Sequence, residues 1–304
     1  MQAFGYTHAG GPEVIEAVTL PTPEPTAQQV QIRVEAIGLN NRERAERQNA
    51  PGPMVTGRDV AGVVTKVGAT ASSFAVGDRV VAHVEHGYAE TAVANLDAVV
   101  ALPDAISFED AAAIVTPAIT AYKTLNAFTT VNPGQTLIIK GVTGAVGAIA
   151  AQLAVAKQAT VIGIGAARNA DFVDSLGVSQ FVAYDQVAIA TALADRGDIV
   201  MNAAMDGVGT DDDIAMVKPG GTIVSVAHGV PSSNKKFDFI NIRPTNTPTD
   251  AQALTAIIAL MADHKLHMPI DMTLPFTRDG FVAGHQQLDV SHTGRIVISR
   301  ALKG

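Results

Sequence analysis

Gln135–Ala159, QTLIIKGVTGAVGAIAAQLAVAKQA, is the stretch from which the rest of the chain can be read. Leu137-Ile138-Ile139 is a short apolar run of the kind that forms a buried parallel strand. Gly141, Gly144 and Gly147 follow at three-residue spacing, and Val146, Ile149, Ala150, Leu153 and Ala154 then fall at the spacing of one helix face. Strand, glycine turn and helix come in the order that a dinucleotide site needs. Gly141 suits the tight turn, Gly144 puts no Cβ between the backbone and a pyrophosphate, and Gly147 lets the helix lie close on the strand. Thr143, Ala145 and Val146 complete the turn, and the N–H groups at the helix start face the phosphates. Glycines at this spacing also serve bare helix–sheet packing; the flanking strand and helix favour nucleotide binding.

The next segment bears on the choice of cofactor. Thr160–Ile164 reads as a second buried strand, and its end falls about 20 residues past the glycines, where an NAD site places an acid on the ribose hydroxyls. Here the residues are Gly165-Ala166-Ala167-Arg168-Asn169, with no carboxylate before Asp171. A 2′-phosphate meets no repulsion from this loop, and Arg168 offers a forked cationic donor, with Asn169 beside it. The competing reading of Arg168 is an ordinary loop arginine. NADPH is the favoured ligand.

At 304 residues the chain is long enough for two domains and buries roughly 75% of its unfolded surface on folding. Apolar residues make up 47% and charged residues 16%, which argues against disorder and for a filled core. With 21 basic against 29 acidic residues the net charge is −8, so neither nucleic acid nor an anionic membrane is expected as the main partner. No run of 18 apolar residues occurs, and MQAFGYTHAGGPEV has neither the charged start nor the apolar core of a leader. The expectation is a soluble, cytoplasmic protein. The absence of cysteine excludes disulfides, thiolate zinc sites and a cysteine nucleophile together.

Up to about Val100 the pattern is one of short β-type runs cut by turn residues: Gln31–Glu35, Val60–Val67, Arg79–Ala82 and Ala89–Ala94. This predicts an all-β, barrel-like half. Ser107-Phe108-Glu109-Asp110 then resembles a capped helix start leading into Ala111–Ile114. Strands are predicted at Phe181–Tyr184, Asp198–Met201 and Thr222–Val226, with helical stretches at Phe172–Leu176, Val187–Leu193 and Asp213–Val217 between them. Such alternation gives an α/β, doubly wound parallel sheet with helices on both faces. Pro231–Thr249, around FDFINI, reads as a loop over the cofactor or an edge strand. A helix over Asp250–His264 and a closing strand at Arg295–Ile298, returning to the first half, complete the reading.

With these residues in view, the chain resembles the medium-chain dehydrogenase/reductase superfamily, and within it the zinc-free quinone oxidoreductase branch that includes zeta-crystallin. The shared motifs run through nearly the whole length: AIGLN at 36–40, PMVTGRDVAGVV at 53–64, VGDRV at 76–80, GYAE at 87–90, LPDAISFEDAAA at 102–113, TAY at 120–122, GVTGAVG at 141–147, RNADFVDSLG at 168–177, KPGG at 218–221 and HTGRIVI at 292–298. The resemblance implies a GroES-like β-barrel domain over 1–121 and 266–304, a Rossmann NADP(H)-binding domain over 122–265, an active site in the cleft, and a homodimer in which FDFINI is a candidate pairing edge. It further implies that Asn40, Thr120 and Val146 lie near the nicotinamide, and that Tyr184 flanks the adenosine, a strand tyrosine being the alternative.

At the positions matching the zinc ligands of the superfamily's alcohol dehydrogenases, the chain has Asn40, Arg58 and Thr116. An amide, a guanidinium and a hydroxyl do not make a zinc set. The four-cysteine structural zinc loop is missing as well. His83-Val84-Glu85-His86 matches no helix-borne zinc motif and reads as structural or exposed. Asn40-Asn41-Arg42-Glu43 departs from the proline-containing run common in the family, which leaves the shape of the substrate pocket open. The expectation is a zinc-independent, NADPH-dependent oxidoreductase passing hydride to a quinone or related small carbonyl electrophile. Asn40, Thr120 and an inward-facing Arg58 are the candidate catalytic residues, although Arg58 also suits a structural pair with Asp59 or Glu43. The alternatives are an enone reductase, with the same hydride geometry, and a redox-silent NADPH-binding sensor or structural protein.

Overall fold

The computed structural model describes residues 1–204, 207–226, 232–290 and 293–302. Pro231, at the head of the expected loop, and His292, of the HTGRIVI motif, lie outside them. The chain divides into two compact units, one of Met1–Thr116, Thr249–His264 and Met268–Gly304, the other of Pro117–Pro248 with Lys265–His267.

The first unit is built on β-strands. Its long strand Gln29–Gly38 pairs along one edge with Asp59–Val67; along the other, Gln29–Arg33 pairs with Thr91–Asn95 and Ala36–Gly38 with Arg295–Ser299, all antiparallel. Register shifts at Gln31/Ile32 and Val34/Ala36 bend this strand, as a barrel-forming strand must bend. Arg79–His83 and Val99–Ala101 extend the sheet on one side and Ile270–Pro275 on the other. A second sheet joins Glu16–Thr19, Gln2–Tyr6 and Met54–Val55. Val30, Ile32, Val34, Ile37, Val60, Val64 and Val80 alternate inward, as half-buried strands do, and meet Phe4, Tyr88 and Phe281 in the core.

The second unit holds a six-stranded sheet that is parallel throughout. Numbered within the unit as Thr136–Lys140, Thr160–Gly165, Gln180–Ala183, Gly197–Asn202, Val217–Ser225 and Asp238–Asn241, its strands lie in the order 3-2-1-4-5-6. That is the doubly wound order with its reversal between the first and fourth strands. Leu137, Ile138, Ile139, Val161, Ile162 and Val200 are fully buried, which explains why the central strands read as apolar runs. FDFINI supplies the edge strand Asp238–Asn241.

Two elements differ from the sequence reading. Asn41–Asn49 is a helix although its sequence, NRERAERQN, has almost no apolar face; it is held by burying charged groups, with Glu43 and Arg47 inside the unit. Arg47 donates to both carboxylate oxygens of Asp289, at 2.7 and 2.9 Å, and to the Gly10 carbonyl at 3.1 Å. The helix Asp250–Ala262, assigned by sequence to the nucleotide-binding part, groups with the β-unit. Its Ala251 N–H donates to the Asp97 carbonyl at 2.7 Å, and Asp250 meets His83 at 2.7 Å. The division at 116/117 falls inside the helix Phe108–Lys123, a few residues before the expected 121. Among the described residues no helix is long and apolar enough to cross a membrane.

Candidate active site

In the second unit the chain leaves Lys140 and turns at once. Gly141 has φ +80°, and a Cβ there would lie 2.8 Å from the Ala204 nitrogen, so the turn demands glycine twice over. Gly141 and Val142 both donate to the Ile164 carbonyl, pinning the turn to the neighbouring strand. A Cβ on Gly147 would stand 2.3 Å from the Gly141 carbonyl oxygen, which makes Gly147 the close-packing position.

Gly144 is different. It is exposed, has ordinary extended angles and forms the N-cap of the helix Ala145–Ala156 with no side-chain cap; an added Cβ would meet only the Gly141 oxygen, at 3.4 Å. Nothing in the fold requires glycine here. The first N–H groups of the helix lack intrahelical acceptors, and the helix dipole favours an anion at that end. A pyrophosphate fits such a start. Thr143 sits over Gly165, where a Cβ would come 2.8 Å from the threonine methyl. Val146 and Thr120 are both partly buried, Thr120 in the helix Phe108–Lys123 with its carbonyl accepting from the Thr124 hydroxyl at 2.8 Å.

After the second strand, Ala167–Asn169 forms one short helical turn that exposes Arg168 and half-buries Asn169. Tyr184 is 56% exposed, its N–H donating to the Gly165 carbonyl at 3.1 Å. Sequence spacing missed one neighbour. The Asp185 carboxylate accepts from the Ala167 N–H at 2.9 Å, so an acid approaches this turn from the end of the third strand. Beneath the glycine turn, Lys140 pairs with buried Asp213 at 2.7 Å, and Asn202 donates to the same carboxylate at 2.6 Å.

In the first unit Asn40 and Arg58 join one buried polar network. Asn40 caps the helix Asn41–Asn49; its N–H donates to Glu43 at 2.8 Å, and its Oδ1 accepts from Arg295 Nη2 at 2.8 Å. Arg58 spans Glu43 at 3.2 Å and Glu46 at 2.7 Å. Asp59, fully buried, accepts from the Thr116 N–H at 3.0 Å and from the Thr116 hydroxyl, and lies 3.8 Å from Arg295. Burial, with Asp59 nearby, pushes the Glu43 carboxyl up to about 7 despite Arg58, whereas burial pulls Arg295 below its ordinary value. Sequence named Glu43 and Asp59 only as pairing candidates for Arg58, of which Glu43 is the partner here, and it did not single out Arg295. The available signal was a charged residue within or beside apolar strand runs, at Asp59 in DVAGVV and Arg295 in RIVI.

The three positions that match the zinc ligands of alcohol dehydrogenases therefore offer an amide oxygen turned to a guanidinium, a guanidinium held by carboxylates, and a hydroxyl donating to a carboxylate. A divalent cation does not fit this set. His83 is committed to Asp250, and His86 to the Val55 carbonyl at 2.6 Å. Among the described residues no group of three His, Cys, Asp or Glu is placed to hold a metal ion.

A doubly wound unit with an uncapped glycine turn and a GroES-like β-unit in one chain define a nicotinamide-dependent dehydrogenase/reductase, and comparison with known proteins agrees. The family described as alcohol dehydrogenase GroES-like domain matches residues 26–104, and that described as zinc-binding dehydrogenase matches residues 145–249. The quinone oxidoreductase of Sus scrofa is 31% identical over 84% of this chain and 80% of its own length. Among solved structures, the quinone oxidoreductase of Coxiella burnetii superposes with a TM-score of 0.81 at 26% identity, covering 98% of this chain and 99% of that one. Escherichia coli quinone oxidoreductase complexed with NADPH has the same fold, with a TM-score of 0.85 at 24% identity over 98% of this chain and 100% of that one. The chain belongs to the medium-chain dehydrogenase/reductase superfamily and is a quinone oxidoreductase-like, NAD(P)H-dependent oxidoreductase.

Proposed function

We propose that this protein is a zinc-independent NADPH oxidoreductase that reduces a quinone or a related small carbonyl electrophile. The observation that carries the reading is the exposed, uncapped helix start at Gly144, a backbone cradle open to a pyrophosphate; the likeness to quinone oxidoreductases directs the choice of acceptor. When bound, the nicotinamide supplies hydride. The chain supplies the rest: N–H groups at Ala145–Gly147 hold the pyrophosphate, Thr120 and Val146 orient the ring, and Asn40 donates to the substrate oxygen as negative charge grows there. We assign Arg58, tied to Glu43 and Glu46, to charge balance around Asn40, and protonation of the reduced product to water. Tyr184 flanks the adenosine in this reading. The edge strand Asp238–Asn241 supports pairing with a second copy of the chain.

Cofactor choice rests on Arg168 and Asn169 against Asp185. A charge-assisted hydrogen bond from Arg168 to the 2′-phosphate contributes about 1.5–3 kcal/mol, or roughly 10- to 150-fold in affinity. Arg168→Ala is expected to weaken NADPH by that order and leave NADH nearly unchanged, as read by titration of each cofactor. Equal weakening of both would make Arg168 a structural loop residue. The test of the function is NADPH oxidation with a panel of quinones, enones and aldehydes, with and without prolonged chelation. Turnover of quinones that survives chelation is expected; a preference for enones would select the alternative acceptor, activity restored only by zinc would overturn metal independence, and binding without oxidation would leave a sensor.

A further inference from the structure

Asn40 Nδ2 is buried and has no hydrogen-bond partner, although Asn40 as a whole is anchored on three sides. Its N–H donates to Glu43, its carbonyl accepts from the Glu43 N–H at 3.1 Å, and its side-chain oxygen accepts from Arg295. Burying an amide donor without an acceptor is costly, so such a group is expected where a ligand completes it.

The orientation of the amide follows from its neighbour. A guanidinium carries only donors, so the Asn40 atom facing Arg295 must be the oxygen, and the NH₂ group must point elsewhere. Rotating the amide by half a turn would set donor against donor. Arg295 is itself held firmly, with Nε donating to the Ala113 carbonyl at 2.6 Å and Nη2 near Asp59. A cation on the amide oxygen also draws electron density from the nitrogen and strengthens its N–H as a donor.

We propose that Arg295 is a positioning residue that sets the polarity of Asn40, locking its amide as a donor and so restricting the ligand at that point to an acceptor oxygen, a carbonyl or the oxyanion it becomes. This rests on the functional reading above only for what the oxygen belongs to. The rival role for Arg295 is neutralisation of buried Asp59 alone, and the two roles separate experimentally. Since Arg295→Met by itself leaves that carboxylate unpaired, the comparison is made in an Asp59→Asn background.

The first measurement needs no turnover. The Asn40 side-chain amide resonances, identified by their loss in Asn40→Ala, are expected to shift and their two protons to exchange faster when Arg295→Met is added to Asp59→Asn, and to return towards the parent in Arg295→Lys. The second measures kcat. Asn40→Ala is expected to lose about 100-fold, as for removal of one oxyanion donor, and Arg295→Met about tenfold, if the donating orientation falls to about a tenth of the population. With Asn40 already alanine, Arg295→Met should cause no further loss in kcat. Unmoved amide resonances, or losses that multiply across the two sites, would overturn the proposal. If Asn40→Ala turns over normally, or no quinone or enone is reduced at all, the functional reading fails while the resonance measurement still decides the role of Arg295.

Discussion

Replacing Gly144 by valine is expected to abolish NADPH binding in a chain that still folds. The backbone at Gly144 has φ −76° and ψ 157°, angles open to any residue, and a Cβ would meet only the Gly141 oxygen at ordinary contact distance. The cost to folding is therefore that of a poorer N-cap, about 1 kcal/mol. A pyrophosphate against the helix start has no such tolerance, because branched methyl groups would occupy the space its oxygens need and the surrounding turn is rigid. Overpacking of about 3 kcal/mol at a backbone contact lowers affinity about 100-fold or more. Gly147→Ala provides the contrast. Its Cβ would strike backbone atoms of Gly141 and Val142 at 2.3 and 2.9 Å, so it should lower stability as well as binding. Calorimetric titration with NADPH, alongside thermal melts of both variants, checks the pair. Wild-type affinity in a folded Gly144→Val protein would sink the pyrophosphate assignment.

Acidification is expected to destabilise the wild-type protein more than a His285→Gln variant, by about 3 kcal/mol at pH 4. His285 is buried in the β-unit, and its Nε2 shares a 3.1 Å hydrogen bond with the Tyr88 hydroxyl, which its own burial keeps protonated. Burial, with Arg47 nearby, pulls the imidazole from 6.5 down to about 3. Between those values the unfolded chain binds a proton that the folded chain does not, so the contribution is fully present above pH 6.5 and is lost as pH falls towards 3, by about 1.4 kcal/mol per pH unit. Glutamine retains a hydrogen-bonding partner for Tyr88 and cannot be protonated. Glu43 acts in the opposite direction. Its folded value of about 7 against 4.5 unfolded means that the folded state gains stability on acidification through that window. Both proteins share that term, so the difference between them isolates His285. Denaturant melts at pH 7, 5.5 and 4 should diverge steadily; parallel curves would show that His285 takes up its proton in the folded state.

The contrast between Lys140 and Arg295 illustrates how unevenly the molecule is legible in its sequence. Around Lys140 the information is local: an apolar strand, three glycines and a helical stripe lie within 25 consecutive residues, and two of the glycines, Gly141 and Gly147, answer backbone constraints of the fold while Gly144 does not. The order of strands and helices that follows repeats the same local pattern, which is why the doubly wound unit and the closing strand at Arg295–Ser299 could be anticipated. The motifs also matched Asn40, Arg58 and Thr116 to the zinc-ligand positions of alcohol dehydrogenases before any contact was known.

Tertiary structure alone decided what those residues face. The helix Asn41–Asn49 has no apolar periodicity to announce it, because it is held by buried ion pairs to residues as distant as Asp289. Asp185 reaches the Ala167 turn across 18 residues, so an absence of acid that was true along the loop was not true in space. Asn40 and Arg295 stand 255 residues apart, and the polarity of the amide arises only where they meet. Hydrophobic periodicity reports which side of an element is buried. Hydrogen bonding between buried polar groups depends on directions and distances between elements, and those exist only once the chain has packed.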